Sequence, residues 1–117
     1  MSDAKVDTVR SSSSGVIGRA QSEARGHRLF LDSSGRPQPD AFTNGEAFLA
    51  GVSSCGVTLI EGHAKDTGVP LTRLDVTIEG SRLNADPTRF AAVTMTFEMA
   101  GVTQEQAEGL VETYRGR

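Results

Sequence analysis

One residue in this chain has chemistry that no other can supply. Cys55 is the single cysteine among 117 residues, so it can form neither an internal disulfide nor a cysteine-pair zinc site. What remains open to it is thiolate chemistry: nucleophilic attack, or oxidation along the ladder from sulfenic to sulfinic acid. The competing reading is a small buried hydrophobe, because free cysteine is among the most buried residue types. A reactive thiol, which ordinarily ionises near pH ~8.5, needs a nearby cation or a polar opening to be held as thiolate. Ser53 and Ser54 beside Cys55 suit such an opening.

Few residues could activate that thiol. His63 lies eight positions on, which along a helix is about 12 Å of rise and about 80° of rotation. A Cys–His dyad within one helix is thereby excluded, and His63 reads as an exposed or capping residue near a helix end, where its cation would suit the dipole. His27 has no visible partner and reads as a surface group. Arg19, Arg25 and Arg28 precede the helix and stay charged, so an activating cation is sought among them, although each alone also reads as a solvated surface group. Glu46 is first of all a cap; nine residues before Cys55, it sits about two and a half turns away along the axis. With two histidines and no repeated spacing to acids, no metal and no cofactor is expected. Gly15-Val16-Ile17-Gly18 lacks the strand-to-helix context of a phosphate loop.

The elements that must position these groups follow from periodicity. Thr43-Asn44-Gly45-Glu46 fits the S/T-x-x-E capping box and opens a helix that runs to Gly68 and Pro70. Phe48, Val52, Cys55 and Leu59 fall on one stripe of it, and Leu49, Ile60 and Ala64 form a second apolar line. Gly51, Ser53, Ser54 and Gly56 are poor helix formers whose use is close approach of another backbone. Before this helix, residues 1–14 are polar and read as a mobile segment, 16–24 are weakly strand-like, and Leu29 and Leu31 mark a short strand. After it, Leu74, Val76 and Ile78 alternate with polar residues, as do Val93, Met95, Phe97 and Met99. The pair reads as an antiparallel hairpin turning at Asn84-Ala85-Asp86-Pro87, with Met95 and Met99 as ordinary core. Thr103-Gln104-Glu105-Gln106 is a second capping box before a helix with Ala107, Leu110, Val111 and Tyr114 on one face. The order gives an α+β fold in a single domain over 15–117.

Composition narrows the function classes. Twelve basic and fifteen acidic residues leave a net charge of −3, against a nucleic-acid module, whose domain pI would exceed about 9. The charges are spread evenly, six basic and seven acidic over 1–62 and six and eight over 63–117, so no membrane patch or charged tail is expected. No stretch approaches the ~18–20 apolar residues of a membrane span, and the start shows no apolar signal region. The chain reads as soluble and cytoplasmic. At 37% apolar residues with no tryptophan, a domain of this size is expected to complete its core with a second copy of itself.

From Asn44 to Cys55 (Asn-Gly-Glu-Ala-Phe-Leu-Ala-Gly-Val-Ser-Ser-Cys) the sequence resembles the OsmC/Ohr family, the osmotically inducible protein C and organic hydroperoxide resistance proteins. The resemblance continues through Gly68-Val69-Pro70-Leu71, Ile78-Glu79-Gly80, Asp86-Pro87-Thr88-Arg89-Phe90, Phe97-Glu98-Met99 and Gly101 to Ala107. It implies an intertwined homodimer, with an antiparallel sheet wrapped around a long central helix. It also implies a peroxidatic cysteine, Cys55, that reduces organic hydroperoxides and is recycled by an external thiol. An arginine from the N-terminal strands, Arg25 first and Arg28 second, and a helix-start glutamate, Glu46, would hold the thiolate. The alternative is a non-catalytic dimer of this kind that binds a small apolar ligand at the subunit interface. In the family a second, resolving cysteine follows the last helix in a Cys-Pro motif. This sequence reaches Tyr114-Arg115-Gly116-Arg117 without one, so a one-cysteine cycle is expected.

Overall fold

The computed structural model describes residues 4–116. The elements run β1 (Arg10–Ser13), β2 (Arg19–Ala24), β3 (His27–Asp32), β4 (Phe42–Thr43), α1 (Asn44–Thr67), β5 (Arg73–Ser81), β6 (Ala92–Ala100) and α2 (Gln104–Arg115). This is the expected α+β order. By its contacts the chain divides into two compact units, Met1–Phe48 and Leu49–Arg117, and the division falls inside α1.

The first unit is a four-stranded sheet in the order β1-β2-β3-β4. Strands β2 and β3 are antiparallel, in a register that runs from Ala24↔His27 to Arg19↔Asp32. Their turn is two residues long, and both Arg25 (φ 52) and Gly26 (φ 82) are left-handed. Positive φ at both positions is what a type I′ hairpin turn requires, because its twist matches that of the strands. β4 joins β3 in parallel through Leu31↔Phe42 and Asp32↔Thr43. The 1–14 segment, expected to be mobile, contains β1, which pairs Arg10–Ser13 with Ala20–Glu23 of β2. The hydroxyls of Ser11 and Ser22 lie 2.8 Å apart. Serine lacks the apolar alternation by which a strand is recognised, and backbone pairing supplies what the pattern could not show. Residues 1–3 of that segment lie outside the described ones.

The second unit holds most of α1, the β5–β6 hairpin and α2. The hairpin is antiparallel and in register from Arg73↔Ala100 to Ser81↔Ala92. Alternation places Leu74, Val76, Met95, Phe97 and Met99 on one face, as the sequence predicts. Against that face pack α1 and α2 around a core of Ile60, Ala64, Leu74 and Leu110. Each helix end is closed locally. At α2, Thr103 Oγ1 accepts from Gln106 N at 3.1 Å and the Gln106 side chain accepts from Thr103 N at 2.9 Å, the reciprocal bonds of a capping box. At the end of α1, Val69 N donates to Ala64 O at 2.9 Å and Gly68 N to Lys65 O at 3.3 Å. With Gly68 at φ 74, this is the Schellman arrangement, for which a residue without Cβ is the natural choice.

Candidate functional site

Cys55 is exposed, not the buried hydrophobe that its apolar stripe permits. The reason is the rotational setting of α1. Its buried residues are Gly56, Ile60 and Ala64, one line at four-residue spacing. Ile60 and Ala64 belong to the second apolar line of the sequence; Gly56, with no side chain, carries no hydrophobic signal, so the pattern did not show which line is the buried one. A Cβ built on Gly56 would meet Tyr114 Cζ at 3.3 Å and Met95 Cε at 3.4 Å; α2 and β6 approach here because the residue is glycine. Cys55 is one step away, about 100° around the axis, and so turns from the core. The stripe expected to be buried is therefore open: Phe48 is 59% exposed, and Val52 and Leu59 are half-buried. Around the thiol, Thr58 Oγ1 donates to the carbonyls of Ser54 and Cys55, both at 3.2 Å, and Ser53 Oγ donates to Leu49 O at 3.0 Å. These bonds occupy helix carbonyls and leave the sulfur facing outward.

Glu46 performs the capping role read from the sequence. Its carboxylate accepts from Thr43 N at 2.9 Å, while Glu46 N donates to Thr43 Oγ1 at 3.2 Å. Gly45 N, another first-turn amide, donates to Ser34 Oγ at 3.2 Å. His63 is half-buried, with Nε2 at 3.5 Å from Thr113 Oγ1 of α2, so it contacts the second helix rather than standing exposed.

The three arginines have different occupations. Arg28 pairs with Glu23 at 3.0 Å. Arg19 is enclosed by two carboxylates that sequence reasoning did not single out. Its Nε and Nη2 donate to the two oxygens of Asp32 at 2.7 and 3.1 Å. Its Nη1 and Nη2 donate to Asp40 at 3.2 and 2.5 Å. Those hydrogen bonds hold both carboxyls below the usual carboxylate range and push the guanidinium further up. Among the described residues Arg25 carries no such pair; it is exposed at the hairpin turn. A signal for the Arg19–Asp32 contact was present: counting outward from a two-residue turn at Arg25-Gly26 places Arg19 opposite Asp32. For Asp40, eight residues into a loop, no local signal exists.

A cleft of about 590 Å³ is lined by residues of β6 and α2, among them Met95, Phe97, Met99, Val111, Glu108 and Arg115. Cys55 is not among its lining residues. Among the described residues no group of three or more His, Cys, Asp or Glu is placed to hold a metal ion. None of the described helices is long and apolar enough to cross a membrane.

Comparison with solved structures gives the same fold. An OsmC-like protein from Mycoplasma pneumoniae superposes with a TM-score of 0.83 at 16% identity, covering 97% of this chain and 82% of that one. An OsmC-like protein of unknown function from Vibrio cholerae matches with a TM-score of 0.67 at 15% identity, over 92% and 85% of the two chains. A Legionella pneumophila protein described as an organic hydroperoxide resistance protein OsmC and redox protein matches at 0.66 and 21% identity, over 92% and 80%. No protein of curated function matches the chain. The family model described as OsmC-like protein matches residues 37–117. That stretch includes Cys55, the capped helix that carries it and every element after it, and the chain belongs to the OsmC-like family.

Proposed function

We propose that this protein reduces organic hydroperoxides through Cys55, with an external thiol as reductant. The observation that carries the reading is the outward-facing thiol on α1, inside the segment matched by the family model. The thiolate attacks the terminal oxygen of ROOH and the O–O bond breaks. The alcohol ROH leaves with a proton, and Cys55 becomes a sulfenic acid. A first thiol then forms a mixed disulfide with release of water, and a second regenerates the Cys55 thiol as a free disulfide departs. A reducing compartment, the cytoplasm, supplies such thiols.

Glu46 and an arginine are the proposed partners of the thiolate. Of the three candidates Arg19 and Arg28 are engaged by carboxylates, which favours Arg25. Because Arg25 sits at φ 52, Arg25→Gly removes the charge without the backbone strain that alanine would meet there. We expect that variant to slow Cys55 oxidation at least several-fold with unchanged folding. Equal rates for Arg25→Gly and the parent would remove Arg25 from the mechanism.

The working form is proposed to be a homodimer, supported by the apolar side chains left open at Leu29, Phe30, Phe42 and Phe48. A monomeric mass at micromolar concentration with intact secondary structure would overturn it. The decisive experiment for the chemistry is intact mass spectrometry after treatment with cumene hydroperoxide. Without thiol, Cys55 should gain oxygen and stop at sulfinic acid; with a small thiol it should turn over, and Cys55→Ser should do neither. An unmodified, free thiol after excess peroxide would replace this reading with a non-catalytic dimer that binds a small apolar ligand. Val52 and Leu59, half-buried on the stripe with Cys55, favour that second reading.

A further inference from the structure

Arg19 serves two carboxylates with one positive charge, and the two are not equivalent. The Asp32 side chain is fully buried at the end of β3, whereas that of Asp40 is 71% exposed. Asp40 ends a stretch, 33–40, in which every residue is exposed, and half-buried Ala41 then leads into β4. The other ties on this loop are polar as well. Ser33 N donates to Gly18 O at 2.7 Å, Gln38 N donates to Asp32 Oδ2 at 3.0 Å, and Ser34 Oγ accepts from Gly45 N in the first turn of α1 at 3.2 Å. Pro37 and Pro39 bring no N–H donors of their own and stiffen the segment. The stem of Arg36 lies over Gly18.

We propose that the 33–40 loop is a strap, tied to the start of α1 at Ser34 and held on β2 by an electrostatic latch, in which Asp32 is the permanent post and Asp40 the releasable hook on Arg19. The Arg19–Asp32 pair persists because separating it would leave a charge buried without a partner. The Asp40 contact is in water, where added salt screens it and its net worth is small. Release at Asp40 frees the half of the strap between the Gln38–Asp32 bond and β4, while Phe42 and Thr43 stay paired with Leu31 and Asp32 of β3. The strap therefore loosens ahead of the sheet and of the α1 cap as ionic strength rises. This device lies within the first unit and does not depend on the peroxidase reading.

Hydrogen–deuterium exchange of the full chain, read by mass spectrometry on peptides covering 33–40, tests it. In the parent protein, exchange there should rise between about 0.1 M and about 1 M sodium chloride, while peptides from the β5–β6 hairpin stay unchanged. Asp40→Asn, a substitution at an exposed site, should raise exchange over 33–40 about fivefold at low salt and abolish most of the salt dependence. Glu23→Gln, which breaks another exposed arginine pair in the same sheet, should leave the strap alone. Salt-independent exchange of 33–40 in the parent, or equal exchange in Asp40→Asn, would overturn the latch.

Discussion

In the second unit the least exposed side chains are Ile60, Ala64, Leu110 and Leu74; in the first they are Ser22, Asp32 and Thr43. One unit is closed by apolar contact among a hairpin and two helices. The other is closed by strand pairing, a hydroxyl pair and an arginine between two aspartates, with Leu29, Phe30 and Phe42 about half exposed. Burial of apolar area drives folding directly. Buried hydrogen bonds and ion pairs mainly avoid a penalty, because each polar group gave up water to make them. The contrast teaches that the first unit is specified by polar geometry more than it is stabilised by it, which is why its apolar side chains need cover.

The largest expected effect tests the apolar half. Ile60 is 1% exposed in the middle of the second unit's core, so Ile60→Ala should cost about 2–4 kcal/mol of unfolding free energy. Denaturant unfolding measures it. A loss below about 1 kcal/mol would mean that this core is not what holds the unit together.

Acid should then separate the two halves. Arg19 hydrogen bonds depress the folded-state pKa of both Asp32 and Asp40. Their contribution is complete above the ordinary aspartate value of about 3.9, and is lost as pH falls from there through the depressed folded-state values. The β2–β3 amides should lose protection in that window before those of the β5–β6 hairpin. Asp75 and Asp86 are depressed too, but through the Arg73 and Thr88 side chains at the exposed surface of the second unit. Simultaneous loss across both units on acid titration would erase the distinction drawn here.

The two capping boxes offer a matched pair of smaller magnitude. Thr103→Ala should cost about 1 kcal/mol, and Thr43→Ala at least as much, since Thr43 is 7% exposed and also pairs with β3. Thermal melts of the two variants decide it, and a harmless Thr43→Ala would weaken the view that polar contacts specify the first unit. Smallest of all, Glu23→Gln removes the exposed Arg28 pair and should shift stability by less than about 0.5 kcal/mol.

The parts of this fold legible in the sequence are those whose signal is local. The two threonine caps, the 73–81 and 92–100 alternation and the Gly68 stop each lie within a few residues of what they determine. The OsmC-like motif around Cys55 was legible in the same way. What escaped depends on distance along the chain. β1 is a run of serines whose only argument for being a strand is its partner. The burial line of α1 adds Gly56, which no hydrophobic pattern counts, to Ile60 and Ala64 of the second apolar line, so the outward turn of Cys55 was not foreseen. Asp40 meets Arg19 across 21 positions.

The junction that turns Cys55 outward also carries its own optical label. Tyr114 is the single tyrosine, and the chain has no tryptophan. Its hydroxyl points at Met95 Sδ, 3.8 Å away, and its ring meets that of Phe97 edge-on, with centroids 6.0 Å apart. Tyrosine emission from the unlabelled protein therefore originates at one place, where α1, α2 and β6 meet beneath the residue after the thiol. Events at Cys55 that disturb the seating of α1 become visible as a change in tyrosine light, without a dye, a tag or a second tyrosine to subtract.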